Sequence, residues 1–204
     1  MRAWEVLTAL TATLILALRK PAQAAAPPTS QAGAGALLAA CAPPGTQAYA
    51  TLIAQRASDF GVPASLLAAL VTQESGGNAN AERFEAAWVS ILQGQAPAWD
   101  AALALGWTYQ QLATSMGLTQ VLGLTAWQLG AHYPPQRILE PYLNLGLGAK
   151  YLAQQRAAFG TWRDALRAYN AGPTAAARDQ AAGAAYADSV IAIQQSILAC
   201  EATQ

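Results

Sequence analysis

Leu66, Leu70 and Glu74 recur at i, i+4 and i+8, with Leu67 and Val71 beside them. On a helix these positions share a face, so the Glu74 carboxyl stands at the end of an apolar stripe. An apolar wall disfavours the ionised form, and a carboxylic acid kept protonated near neutral pH can hand its proton to a leaving oxygen. Cleavage of a glycosidic bond is a reaction that uses this device. Glu82, Asp100, Asp164 and Asp179 sit instead among polar or alanine-rich turns, where a solvated face explains them. Taken alone, a Glu in a last helical turn before glycines is more often a carboxylate facing solvent, so Glu74 has to be weighed with its neighbours.

The elements that would position it read as helices. Ala is abundant and β-branched runs are few, which favours the helical state and predicts an all-α domain. The spacing predicts helices from about Gln47 to Phe60, from Pro63 to Ser75, from Ala81 to Leu92, from Leu143 to Ala158, from Trp162 to Asn170 and from Gly183 to Leu198. Shorter helical stretches fall at Ala96 to Ala104 and Tyr109 to Thr114, and one opens at Met116 and ends at Gly130. Thr161 and Asp164 form a capping-box-like start. No strand pair with a hairpin signal and no internal repeat is visible. Trp88, Trp99 and Trp107 crowd the insertion from Trp88 to Ser115, as core residues or as a lid that stacks on sugar rings.

The ends of the chain carry a different kind of information. Arg2, the apolar run Val6 to Leu18 and the small residues up to Ala24 read as a signal peptide over residues 1–24, the run being shorter than the roughly 20 residues a membrane span needs. Residues 25–45 are Ala, Pro, Gly and Ser without charge or period and read as a linker, with the folded domain covering 46–204. Cys41 and Cys200 flank that domain and suggest a disulfide in an oxidising compartment. The rival is a lipobox in Leu38-Ala39-Ala40-Cys41, which would make the chain a lipoprotein through Cys41 and leave Cys200 unpaired. The formal net charge is zero and no basic cluster stands out, which argues against nucleic acid. His132 is the only histidine and no cluster has metal-ligand spacing, so no metal and no cofactor is expected.

Three segments follow one another: Pro63-x-Leu-Leu-Ala-Ala-Leu-Val-x-Gln73-Glu74-Ser75-Gly76, then Gly117-Leu118-Thr119-Gln120, then Ala168-Tyr169-Asn170-Ala171-Gly172. With Asn144-Leu145-x-Leu147-Gly148-x-x-Tyr151-Leu152 ahead of the third, the set resembles the soluble lytic transglycosylase family, relatives of goose-type lysozymes, over roughly residues 46 to 175. The resemblance implies a lysozyme-like helical fold and cleavage of peptidoglycan glycan strands, with Glu74 as the single catalytic acid. It implies substrate contacts for Ser75, Gly117, Gln120, Tyr169 and Asn170. Many members have Met where this chain has Thr119, a departure that bears on sugar packing there and not on the acid.

Other readings stay open beside these. Tyr169 shares i, i+4, i+7 spacing with Trp162 and Leu166, as a half-buried core tyrosine does, and Gln120 reads equally as a residue that satisfies backbone groups of its own turn. Arg83-Phe84-Glu85 resembles an Arg-Tyr-Glu segment of phage-associated relatives, which makes Glu85 a candidate second carboxylate in the cleft. The rival functions are therefore a muramidase of the same fold that uses Glu85 as its base, and a peptidoglycan-binding or assembly scaffold. The chemistry fits wall turnover, phage lysis, or opening the wall for a secretion or conjugation apparatus, in the periplasm or elsewhere in the cell envelope.

Overall fold

The computed structural model describes residues 31–204. The signal-peptide reading of residues 1–24 lies outside that range. In chain order the helices are α1 (Gln31–Cys41), the single turn α2 (Pro44–Gln47), α3 (Ala50–Phe60) and α4 (Ala64–Ser75). After strand β1 (Glu82–Phe84) come α5 (Ala87–Gln93), α6 (Asp100–Ala104), α7 (Tyr109–Leu112), β2 (Thr114–Met116), β3 (Val121–Leu122) and α8 (Gly123–Gln128). Helices α9 (Pro141–Phe159), α10 (Trp162–Ala171), α11 (Pro173–Arg178) and α12 (Ala184–Glu201) complete the chain. The class is the all-α, lysozyme-like one expected, with a small antiparallel sheet of order β1-β2-β3 added to it.

Two hydrophobic cores share one helix. The first joins Leu38, Ile53, Leu66, Leu70, Leu166, Val190 and Ile197 from α1, α3, α4, α10 and α12. The second is built by the Trp-rich insertion, with Leu92, Trp99, Trp107 and Leu112 packed on Met116, Val121 and Ile138. Helix α9 lies between them, giving Leu145, Ala149 and Leu152 to the first core and Leu147 and Tyr151 to the second. A helix apolar on more than one side is what such a central position requires. Trp99 and Trp107 are buried, and the Trp107 indole donates to Tyr133 O at 2.8 Å, so these two serve the core and not a sugar-stacking lid.

Three expectations are corrected. Residues 31–41, read as linker, form α1, whose buried Gly35 and Leu38 face α3 and the first core. Small residues that leave an isolated chain flexible here let two helices approach closely. The helix expected from Ala81 is β1 followed by α5, because Glu82, Arg83 and Phe84 pair with Met116, Ser115 and Thr114. The stretch opening at Met116 begins instead as the β2–β3 turn, and helix starts only at Gly123. Pairing across such a distance leaves no local periodicity to read. The expected cap of α10 is present, Thr161 Oγ1 accepting from Asp164 N at 3.0 Å.

Cys41 and Cys200 form a disulfide across a separation of 159 residues and tie the end of α1 to the end of α12. No helix among the described residues is long and apolar enough to cross a membrane.

Candidate active site

Helix α4 ends at Ser75, and Glu74 projects from its last turn toward α12. The two helices are laced along their length: Gln194 Nε2 donates to Ser65 Oγ at 3.2 Å and Ser189 Oγ to Gln73 Oε1 at 2.7 Å. The third link of this antiparallel ladder is the hydroxyl of Tyr186, which donates to Glu74 Oε1. Burial holds the Glu74 carboxyl above the ordinary carboxylate range, while the Tyr186 hydrogen bond and the nearby charge of Arg83 pull it back down. Burial and the Glu74 charge push the Tyr186 phenol far up, so it stays a donor.

The turn between β2 and β3 is fixed against this helix end from both sides. Ser75 Oγ donates to Leu118 O at 2.8 Å and accepts from Gly77 N at 3.2 Å, which clamps the end of α4 to the turn. Gly117 has φ +76, and a Cβ there would lie 2.3 Å from Asn144 Nδ2, so only glycine fits. Asn144, fully buried on α9, donates from Nδ2 to Met116 O at 2.8 Å. Its Oδ1 accepts from Thr119 N at 2.8 Å and from Thr119 Oγ1 at 2.9 Å. Thr119 therefore points into the protein, into space that a Cβ on Gly148 would fill at 2.5 Å. The departure from Met at this position is an interior exchange.

Gln120 takes the backbone-satisfying role. Its Nε2 donates to Ala81 O and to Gly117 O, both at 2.9 Å, and its backbone holds φ 46. Gly117 N also donates to Ala81 O, at 2.8 Å, which sews the turn to the start of β1. Tyr169 is half-buried, its hydroxyl donates to Thr119 O at 2.7 Å, and its ring lies 5.1 Å from that of Tyr151. Burial first, and then the charge of Glu74, raise the Tyr169 phenol well above its usual range. Asn170 is exposed at the end of α10.

The structure thus gathers Glu74, Ser75, Gly117, Gln120 and Tyr169 around one turn. Glu85 follows β1, its backbone N donates to Ala113 O at 2.8 Å, and its carboxylate pairs with Arg83 Nη2 at 2.9 Å. Sequence reasoning missed Tyr186, which sits in an alanine-rich stretch after Gly183 where the one available signal was a lone tyrosine. Asn144 belongs to a motif legible in the sequence, but the role of its amide in building the turn is not legible there. Among the described residues no three His, Cys, Asp or Glu side chains come together as a metal-ligand set.

A lysozyme-like helical domain that carries a half-buried carboxyl, raised by burial, in the last turn of α4 defines the class of protein. The family model of the transglycosylase SLT domain matches residues 51–191, and the chain belongs to that family. No solved structure matches the chain.

Proposed function

We propose that this protein is an exported peptidoglycan lytic transglycosylase in which Glu74 serves first as acid and then as base. The SLT domain supports lytic transglycosylase activity on peptidoglycan in general. The observation that carries the finer reading is the Glu74 carboxyl, raised by burial and bonded to Tyr186, while the Glu85 carboxylate is engaged by Arg83.

Protonated Glu74 donates to the oxygen leaving from MurNAc C1 as the bond to GlcNAc breaks. The carbonyl oxygen of the sugar's own N-acetyl group bonds to C1 and carries the positive charge as an oxazolinium. The Glu74 carboxylate then takes the proton of the C6 hydroxyl, whose oxygen attacks C1 and displaces the acetamido oxygen. The product is 1,6-anhydro-MurNAc, no water is consumed, and Glu74 ends protonated as it began. Gly117, Gln120 and the Tyr169–Thr119 contact shape the wall that receives the sugar, and Ser75 locks that wall to the acid. Asn170, exposed at the end of α10, and the Gln120 carbonyl oxygen are the polar groups of this set offered to the substrate directly.

Mass spectrometry of muropeptides released from purified peptidoglycan tests the reading. The expected ends are lighter by one water than hydrolysis products, and Glu74→Gln is expected to release none. Reducing MurNAc ends as the main product refute it in favour of a muramidase, and binding without turnover leaves the scaffold. Export is supported by the disulfide, a bond of oxidising compartments. Cleavage after Ala24 predicts an intact mass that begins at Ala25 and lacks two hydrogens.

A further inference from the structure

Arg83 carries no proton in the chemistry proposed for Glu74, yet it lies on β1, the strand next to the β2–β3 turn of the candidate site. In β1 the residues alternate: Glu82 lies opposite Met116 and Phe84 opposite Thr114, so Arg83, opposite Ser115, points to the other face of the sheet. Ala81, two residues before Arg83, accepts from Gly117 N at 2.8 Å and from Gln120 Nε2 at 2.9 Å, so Arg83 stands on the strand sewn to the β2–β3 turn that Ser75 clamps to the Glu74 end of α4, and its charge reaches the Glu74 carboxyl. Its side chain is 68% exposed, and its one ion pair is with Glu85, 34% exposed. Arg167 shows what a structural arginine looks like in this fold. It is 1% exposed and bonds Asp164, Gln180 and the carbonyls of Ala176, Asp179 and Ala182. Arg83 has none of that enclosure. An exposed pair of this kind contributes little, because water screens both charges, so an incoming anion displaces Glu85 at little cost. Amides and hydroxyls suffice for acetylated sugars, whereas the planar guanidinium fork matches a carboxylate.

We propose that Arg83 is a carboxylate-binding residue of the glycan site, and that Glu85 is an internal counter-ion holding its place until an anionic group of the substrate displaces it. The inference rests on the peptidoglycan reading above. That polymer offers two carboxylates near the sugar. One is the lactyl carboxylate of a MurNAc stripped of its peptide; the other belongs to the peptide stem, whose attachment ties up the lactyl group as an amide.

The test uses the full chain carrying Glu74→Gln, so that binding is read without cleavage. Dissociation constants are measured for soluble strands with stems, strands stripped of stems by an amidase, and neutral GlcNAc oligomers. Adding Arg83→Gln is expected to weaken binding of a carboxylate-bearing strand roughly tenfold, the size of one charge-assisted hydrogen bond, and to leave the neutral oligomer unchanged. Weakening confined to stripped strands assigns the lactyl carboxylate, weakening confined to stem-bearing strands assigns the stem, and weakening of both means that either carboxylate reaches Arg83. Glu85→Gln removes the competitor and is expected to tighten the same strands severalfold. Affinities unchanged by Arg83→Gln, or weakened equally for all three ligands, overturn the proposal while leaving the transglycosylase reading intact. Failure of the Glu74→Gln chain to bind any strand would instead strike at that reading itself. Reducing ends released by the unaltered enzyme would refute its chemistry without touching the Arg83 result.

Discussion

At the scale of single residues, Glu74 is a compromise between burial and hydrogen bonding, and both sides can be measured. Burial raises its pKa, so the folded chain holds the proton more tightly than the unfolded one. The stabilisation linked to that proton is fully present below the unfolded carboxyl value of about 4.3 and is lost as pH rises through the raised folded value. Glu74→Gln, neutral at every pH, is therefore expected to melt several degrees above the parent at about pH 8, with the gap closing toward about pH 4. Thermal melts at the two pH values decide it, and a gap independent of pH counts against a buried carboxyl. Tyr186→Phe removes a hydrogen bond that lowers the Glu74 pKa. Its pH–rate profile should show the alkaline limb, where the acid is lost, moved to higher pH; a limb moved to lower pH would contradict the bond.

Among the elements, the β2–β3 turn is held mainly by side chains from elsewhere. Asn144 satisfies Met116 O and Thr119 N in a site without solvent, while Gln120 and Gly117 tie the turn to Ala81. Asn144→Ala leaves buried donors and acceptors unpaired and is expected to cost about 3 kcal/mol in urea denaturation. It should also lower turnover in the fraction that stays folded, because the wall facing Glu74 is no longer set. A stable variant with normal turnover would show that the turn keeps its shape without α9. The segment Gly117-Leu118-Thr119-Gln120 stands out in the sequence as a motif, but the sequence does not show that the Thr119 hydroxyl and the Gln120 Nε2 are spent on protein.

For the molecule as a whole, α12 matters out of proportion to its place at the end of the chain. It carries Tyr186, lies along α4 and is tied through Cys200 to α1. Closing a loop of 159 residues restrains the unfolded chain by about 5 kcal/mol in the chain-entropy model. Cys41→Ser with Cys200→Ser is expected to lose a stability of that order, read from denaturant midpoints against the parent under non-reducing conditions. Equal midpoints would mean that α1 and α12 dock fully without the bond.

The sequence by itself determined the helical class, the positions of α3, α4, α9, α10 and α12 to within a few residues, the two cysteines as a candidate pair and the stripe that ends at Glu74. Each follows from a pattern whose parts lie within a few turns of one another, or from a count of two. Only the tertiary structure decided that residues 31–41 are a packed helix, that residues 82–84 are a strand and that Glu85 answers Arg83 instead of Glu74. The partner of the candidate acid was hidden for the same reason. Glu74 and Tyr186 are 112 residues apart, and two side chains at that separation meet only because two helices pack along their length, a contact that no local period encodes.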